Sequence, residues 1–214
     1  MVKLNKKEIV ELPPEKDKII EYCSSRFFRD GFYYVTVDQI ASELRISKKT
    51  IYKYFASKDD LVEAVTNNLM NEVKDKIESV ISTNTESLTK ALMMFDVMGS
   101  VILKFSENWL KDIQIHMPDL WKKIDEFRTQ RAYFVLGSII KQGQKEGMII
   151  DKPAELIIHL FVNSIRSVVN PDFLFYQKLN YKEAFRHTFE ILFNGILTSK
   201  GKKQFDKIFS KVIK

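Results

Sequence analysis

The stretch "TVDQIASELRISKKTIYKYFASKDDL", residues 36–61, sets a Ser or Thr ahead of a short helix-forming run three times. Thr36, with Gln39 three residues on, has the form of a capping box, in which hydroxyl and amide side chain satisfy orphan N–H groups at a helix start. Ser47 and Ser57 stand in the same relation to the runs that follow them. Between the first two caps, Val37, Ile40, Ala41 and Leu44 recur at the spacing that lines one helical face. Only a few residues remain for a turn before "KKTIYKYF", so the spacing predicts two short helices that cross sharply and the beginning of a third. The segment is a helix-turn-helix.

On the second of these helices Ile51 and Phe55 share one side, with Tyr54 close by, while Lys49, Thr50, Tyr52 and Lys53 occupy the opposite arc. Apolar anchors hold such a helix down and leave ammonium and hydroxyl groups outward, the chemistry that meets phosphates and base edges. From Leu44 to Lys58 there are five cations, Arg45, Lys48, Lys49, Lys53 and Lys58, and no acid. Any one of these lysines fits a merely solvated face. The cations together with the caps and the turn point to nucleic acid.

The order "TVDQIASELRISKKTIYKYFASKDDLVEAV", preceded by the amphipathic "KIIEYCSSRFFRDGF", resembles the DNA-binding domain of the tetracycline-repressor-like (TetR) family of transcriptional regulators. The likeness runs without a gap from about Lys16 to Val65. It implies that Lys48, Lys49 and Thr50 approach bases and that Thr36, Tyr52, Lys53 and Lys58 hold phosphates. Two departures stand out: Arg45 and Lys49 replace glycines frequent in the family's turn and early recognition helix. A turn that needs positive φ holds Arg45 there at a cost of about 1 kcal/mol. Lys49 adds a long cation that either reads guanine or clamps a phosphate.

Seven glycines and five prolines in 214 residues, with amphipathic periodicity over most of the length, predict an all-α protein. A three-helix head over residues 1–60 and a larger effector-binding and dimerisation body over residues 61–214 are expected. Twelve Lys and Arg against ten Asp and Glu leave +2 over residues 1–60. Sixteen against seventeen leave −1 over residues 61–198, and six against one leave +5 over residues 199–214. The positive charge is therefore local, unlike that of a nonspecific polycation. The single cysteine, Cys23, sits among apolar positions with Ile19 and Phe27, as a buried structural thiol does. With a charged amino terminus, "MVKLNKKEIVELPPEKDK", and no apolar run of membrane-spanning length, the chain is expected to be cytoplasmic.

In the body, a helix from the Ser57 cap to about Ser82 joins head to body, an apolar helix ends near Asn108, a short piece follows through His116, and Pro118 opens a long helix that stops at Gly147. Adaptable Met and flat aromatic side chains suit a pocket for a mostly apolar ligand, with Phe95, Met98, Phe105, Trp109, Trp121 and Phe134 as candidates. His159, Asn163 and Arg166 interrupt apolar helix and are placed to orient such a ligand. The same residues equally suit an ordinary core. Two late helices, 153–169 and 181–197, carry broad apolar stripes that include Leu160, Ile165, Phe185, Phe189, Leu192, Phe193 and Ile196. They close the monomer core or, as the resemblance implies, pair across a twofold axis into a homodimer whose two heads read a near-palindrome. The tail "KGKKQFDKIFSKVIK" sets Phe205, Ile208, Phe209, Val212 and Ile213 among lysines; docking on the body is expected, with a dimer or membrane surface as alternatives.

His116, His159 and His187 have no close metal-ligand partners in sequence, and no phosphate-cradling glycine loop or catalytic triad can be assigned. No cofactor and no enzymatic activity are expected. A ligand-responsive DNA-binding regulator is expected, a repressor with an operator and a small effector as partners; a DNA-associated architectural protein without an inducer is the rival reading.

Overall fold

A computed structural model describes residues 14–102, 104–168 and 170–212. The head comprises α1 (Glu15–Asp30), α2 (Val37–Leu44), α3 (Lys48–Tyr54) and the start of α4 (Lys58–Ser82). The body continues with α5 (Ser87–Ile102), α6 (Glu107–His116), α7 (Pro118–Lys145), α8 (Ala154–Val168), α9 (Pro171–Gln177), α10 (Tyr181–Ile196) and α11 (Ser199–Val212). The fold is all-α. The expected boundary at residue 60 falls inside α4, which runs unbroken from the head into the body.

All three predicted caps form. The Thr36 hydroxyl accepts from Gln39 N–H at 3.2 Å while the Gln39 side chain accepts from Thr36 N–H at 2.8 Å. Ser47 accepts from Thr50 N–H and Ser57 from Asp60 N–H, each at 3.0 Å. Asp59 and Asp60 in the first turn of α4 complement the positive end of its dipole. Arg45 takes the left-handed conformation, φ 56°, and ends α2. Around it Arg45 N–H donates to Ser42 O at 3.1 Å and Ile46 N–H to Ala41 O at 3.0 Å, the paired bonds that turn a helix C-terminus. Ile19, Cys23 and Phe27 of α1 pack with Ile40, Ile51, Phe55 and Leu61 in the head's core.

The apolar helix expected to end near Asn108 stops earlier, and the short piece expected through His116 is a helix that begins at Glu107. α5 stops at Ile102, and Ser106 caps α6 by accepting from Trp109 N–H at 3.2 Å. The run of apolar residues conceals this cap, because Trp109 and Leu110 continue the pattern beyond it. The seven-residue α9 was also absent from the sequence-based reading. At its far end α7 is followed by Gly147 at φ 69°, after which Ile150 N–H donates to Ile196 O and Thr198 N–H to Met148 O. This short exchange ties the α7–α8 link to the end of α10.

The tail docks. Phe205 of α11 is buried and stacks on Phe193 with ring centroids 6.1 Å apart. Gln204 donates to Glu86 at 2.9 Å. Residues 1–13, Ile213 and the side chains of Phe209 and Val212 lie outside the described residues.

Candidate nucleic-acid interface and the cavity behind it

Helix α3 is held by Ile51 below and leaves Lys49, Tyr52 and Lys53 exposed, as the wheel predicted. Lys53 Nζ lies 5.1 Å from the centroid of the Tyr54 ring. Thr50 is half-buried, with its hydroxyl 2.9 Å from that of Ser47, so it is positioned by the cap that starts the helix. Exposed Lys48 donates to Asp38 of α2 at 2.9 Å, and this hydrogen bond raises its pKa. The carboxylate thus competes with any phosphate for that ammonium.

Lys58 is placed differently. It donates to Tyr33 O at 2.8 Å and lies 5.7 Å from the Phe32 ring centroid, and desolvation lowers its pKa. The side chain secures the loop between α1 and α2 as well as edging the expected phosphate face. Thr36 is exposed but committed to its capping box. Next to it Tyr34, 87% exposed, was missed by sequence reasoning, since an aromatic in "GFYYV" reads as core until its neighbours Phe32 and Val35 are seen to take the buried places.

Behind the head, a cavity of ≈ 240 Å³ lies among α4, α5, α6, α7, α8 and α10. Phe95, Met98, Phe105, Trp109 and Trp121 line it. Phe134, His159 and Asn163 do not, correcting the sequence-based expectation. On α8 the cavity side is Phe161, Val162, Ile165 and Arg166, which places His159 and Asn163, four residues apart, on the outer stripe. There His159 Nδ1 lies 3.1 Å from the Tyr133 hydroxyl, and Asn163 donates to His159 O at 2.8 Å. Phe134 is 48% exposed beside Arg131. Arg166 reaches the cavity wall but pairs with Asp125 at 2.5 Å. Arg128 and Thr129 of α7 also line the cavity and were missed, because "DEFRTQR" reads as a solvated charged face.

The expected dimer residues divide in the same way. Phe185, Phe189, Phe193 and Ile196 are buried within this chain's own core, where Phe189 and Phe193 lie 4.3 Å apart and Phe95 stacks on Phe185 at 5.5 Å. Their bulk fills the space between α10, α5 and α8 and leaves nothing to offer a second chain. Ile165 and Leu192 are half-buried, and Leu160 is exposed. The unpartnered apolar face of α8 and α10 carries Leu156, Leu160 and Ile191, the last 72% exposed.

The head and cavity share a wall. Trp109 lines the cavity and packs its ring on Phe27, Phe28 and Phe32 at centroid distances of 6.4, 4.9 and 5.7 Å. Beside it Ser106 N–H donates to Phe28 O at 2.8 Å.

A family model described as "Bacterial regulatory proteins, tetR family" matches residues 25–65, the capped segment with its flanks. Over those residues the chain is similar to the DNA-binding domain of the TetR family of transcriptional regulators. The chain is 27% identical over 184 residues to YvaF, an uncharacterised HTH-type transcriptional regulator of Bacillus subtilis (strain 168), covering 84% of this chain and 95% of that protein. In fold it is similar to a TetR-family transcriptional regulator from Marinobacter aquaeolei VT8, with TM-score 0.71 and 17% identity over 93% of this chain and 98% of the other. It is likewise similar to a regulator from Saccharomonospora viridis solved in complex with choline, with TM-score 0.64 and 18% identity over 86% of this chain and 97% of the other. No described helix of this chain is long and apolar enough to cross a membrane.

Proposed function

We propose that the protein is a homodimeric repressor released from a near-palindromic operator when a small, mostly apolar effector enters the body cavity. The position of Trp109 carries this reading, since one ring is at once cavity wall and seat of the head. An occupant that displaces it changes the angle at which α1 and the rest of the head are held. The choline bound by the Saccharomonospora regulator supports a ligand site in this fold without naming this chain's own effector.

The switch is a shift between two head arrangements, so the effector must favour the DNA-incompetent one. A preference of about 100-fold, roughly 2.7 kcal/mol, makes a useful switch. The exposed apolar face of α8 and α10 supports dimerisation there, which supplies two heads for two half-sites. A regulator seated on its operator hinders transcription by occupancy alone, which favours repression.

Selection of bound sites from a random DNA pool, at two salt concentrations, tests the proposal. A near-palindromic consensus is expected. Binding that enriches no sequence and vanishes as salt rises would favour the architectural reading instead.

A further inference from the structure

The cavity wall is almost wholly apolar, yet Arg128 is part of it. Arg128 keeps some accessible surface and opens on the cavity, while desolvation by the surrounding protein draws its pKa below the ordinary arginine value. It stays a cation, because guanidinium does not give up its proton in proteins. Among the described residues none accepts a hydrogen bond from it or forms an ion pair with it. The neighbouring carboxylate, Asp125, is already paired with Arg166 at 2.5 Å. Of the three guanidinium ions on this wall, Arg166 pairs with Asp125 and Arg131 lies 3.8 Å from Glu78, which leaves Arg128 sharing only the field of an already paired carboxylate, where an unpaired charge is costly.

One residue along the chain, the Thr129 hydroxyl is buried and has no hydrogen-bond partner. Thr129 also lines the cavity. A hydroxyl in a helix ordinarily bonds back to a carbonyl of the preceding turn, as Thr66 does to Val62 O at 2.8 Å and Thr188 to Ala184 O at 2.7 Å. A cation and a hydroxyl on one stretch of wall thus both await an acceptor, and both lie in a pocket otherwise built for hydrocarbon.

We propose that the cavity takes an amphipathic organic acid, its anionic head paired with Arg128 and hydrogen-bonded by Thr129, its apolar body against Phe95, Met98 and Trp109. This assignment rests on the cavity being the effector site. It narrows the effector from any small apolar molecule to one with a single negative charge. A planar guanidinium fork suits a carboxylate, which accepts two parallel N–H bonds.

Decanoate, 1-decanol and decylamine, each below the concentration at which it self-associates, test the head group at constant chain length. Binding is read from the fluorescence of Trp109 and Trp121, which both line the cavity, and checked by calorimetry. Decanoate is expected to bind at least about tenfold more tightly than the alcohol and to exclude the amine. In Arg128→Met the preference for acid over alcohol is expected to disappear, while Arg128→Lys keeps part of it. The variant is expected to fold with an unchanged or raised melting temperature, because it removes an unpaired buried charge. The wild-type comparison needs no variant.

Equal or tighter binding of the alcohol, an unchanged preference in Arg128→Met, or binding of none of the three overturns the assignment. Operator titrations with each probe separate it from the regulatory reading. An acid that binds through Arg128 without altering operator affinity overturns the regulatory reading and keeps the acid site. An uncharged probe that binds in preference and releases the operator does the reverse.

Discussion

The carboxylate of Asp112 on α6 accepts the backbone N–H of Phe32 at 2.7 Å. The same oxygen accepts Tyr33 N–H at 2.8 Å, so one body side chain holds the loop that leads into the helix-turn-helix. Gly31, at φ 82°, makes the approach possible: a Cβ there would stand 2.5 Å from that oxygen. Asp112→Ala is expected to destabilise the protein by about 1 kcal/mol or more, because it takes the acceptor from the part-buried Phe32 N–H, while the exposed Tyr33 N–H can turn to water. It is also expected to weaken the effect of any effector on operator affinity. Thermal melts and DNA titrations with and without effector check both, and an intact switch in the variant would remove Asp112 from the coupling.

Arg45 pays for its left-handed backbone with about 1 kcal/mol. Asn tolerates that conformation better, so Arg45→Asn is expected to raise stability by a few tenths to about 1 kcal/mol. Denaturant melts measure it. A loss would mean that the Arg45 side chain makes contacts worth more than the strain.

Lys48 and Lys49 are neighbours with different expectations. Asp38→Asn frees Lys48 from its ion pair, so binding to all DNA sequences should tighten and its salt dependence should steepen by about one charge. Lys49→Ala should weaken binding and also change which bases are preferred, as should Thr50→Ala. Repeating the site selection with each variant decides the matter, and a uniform loss would reassign Lys49 to phosphate.

Leu160 and Ile191 stand on the exposed apolar face, whereas Phe193 is locked in the core. Ile191→Glu is expected to leave the helical content intact and shift the protein from dimer to monomer in sedimentation. Phe193→Ala is expected to cost about 3–5 kcal/mol of folding stability whatever the oligomeric state.

Desolvation pushes the Cys23 thiol up from 9.0 to about 12. The folded protein therefore holds this proton at pH values where the unfolded chain has released it. Stability is unaffected by Cys23 below about pH 9 and falls above it, by up to about 1.4 kcal/mol per pH unit, until the folded thiol itself ionises. Urea melts at about pH 8 and about pH 10 should show the fall, and Cys23→Ala should reduce it. Native protein should also resist thiol alkylation at about pH 8.

Local chemistry explains which features were legible in the sequence. Caps, turn and recognition face depend on residues within a few positions of one another, so Thr36, Ser47, Ser57 and Arg45 could be placed from the string alone. The break between α5 and α6 was legible but placed too late, because Ser106 sits inside an apolar run whose periodicity passes through it. Cavity membership depends on which stripe of a helix faces inward when several stripes are apolar. Phe95 and Trp109 line the cavity, while His159 and Asn163 fall on α8's outer stripe. The late helices show the same ambiguity in Phe185 and Phe189, since a side chain suited to a dimer contact is equally suited to the monomer's interior. Arg128 eluded the sequence for the opposite reason, its charge arguing for solvent until the surrounding helices closed over it.

Phe205 has a further bearing on how the molecule is made. Its ring stacks on Phe193, which meets Phe161 edge-on at 5.2 Å, and Phe161 is cavity wall. A chain emerging from the ribosome therefore has the capped helices of its head, through Val65, long before the last ring needed to close the body. During that interval the aromatic interior of α5, α8 and α10 stays open to water and to other chains. The head has time to form first, and the body must wait for α11.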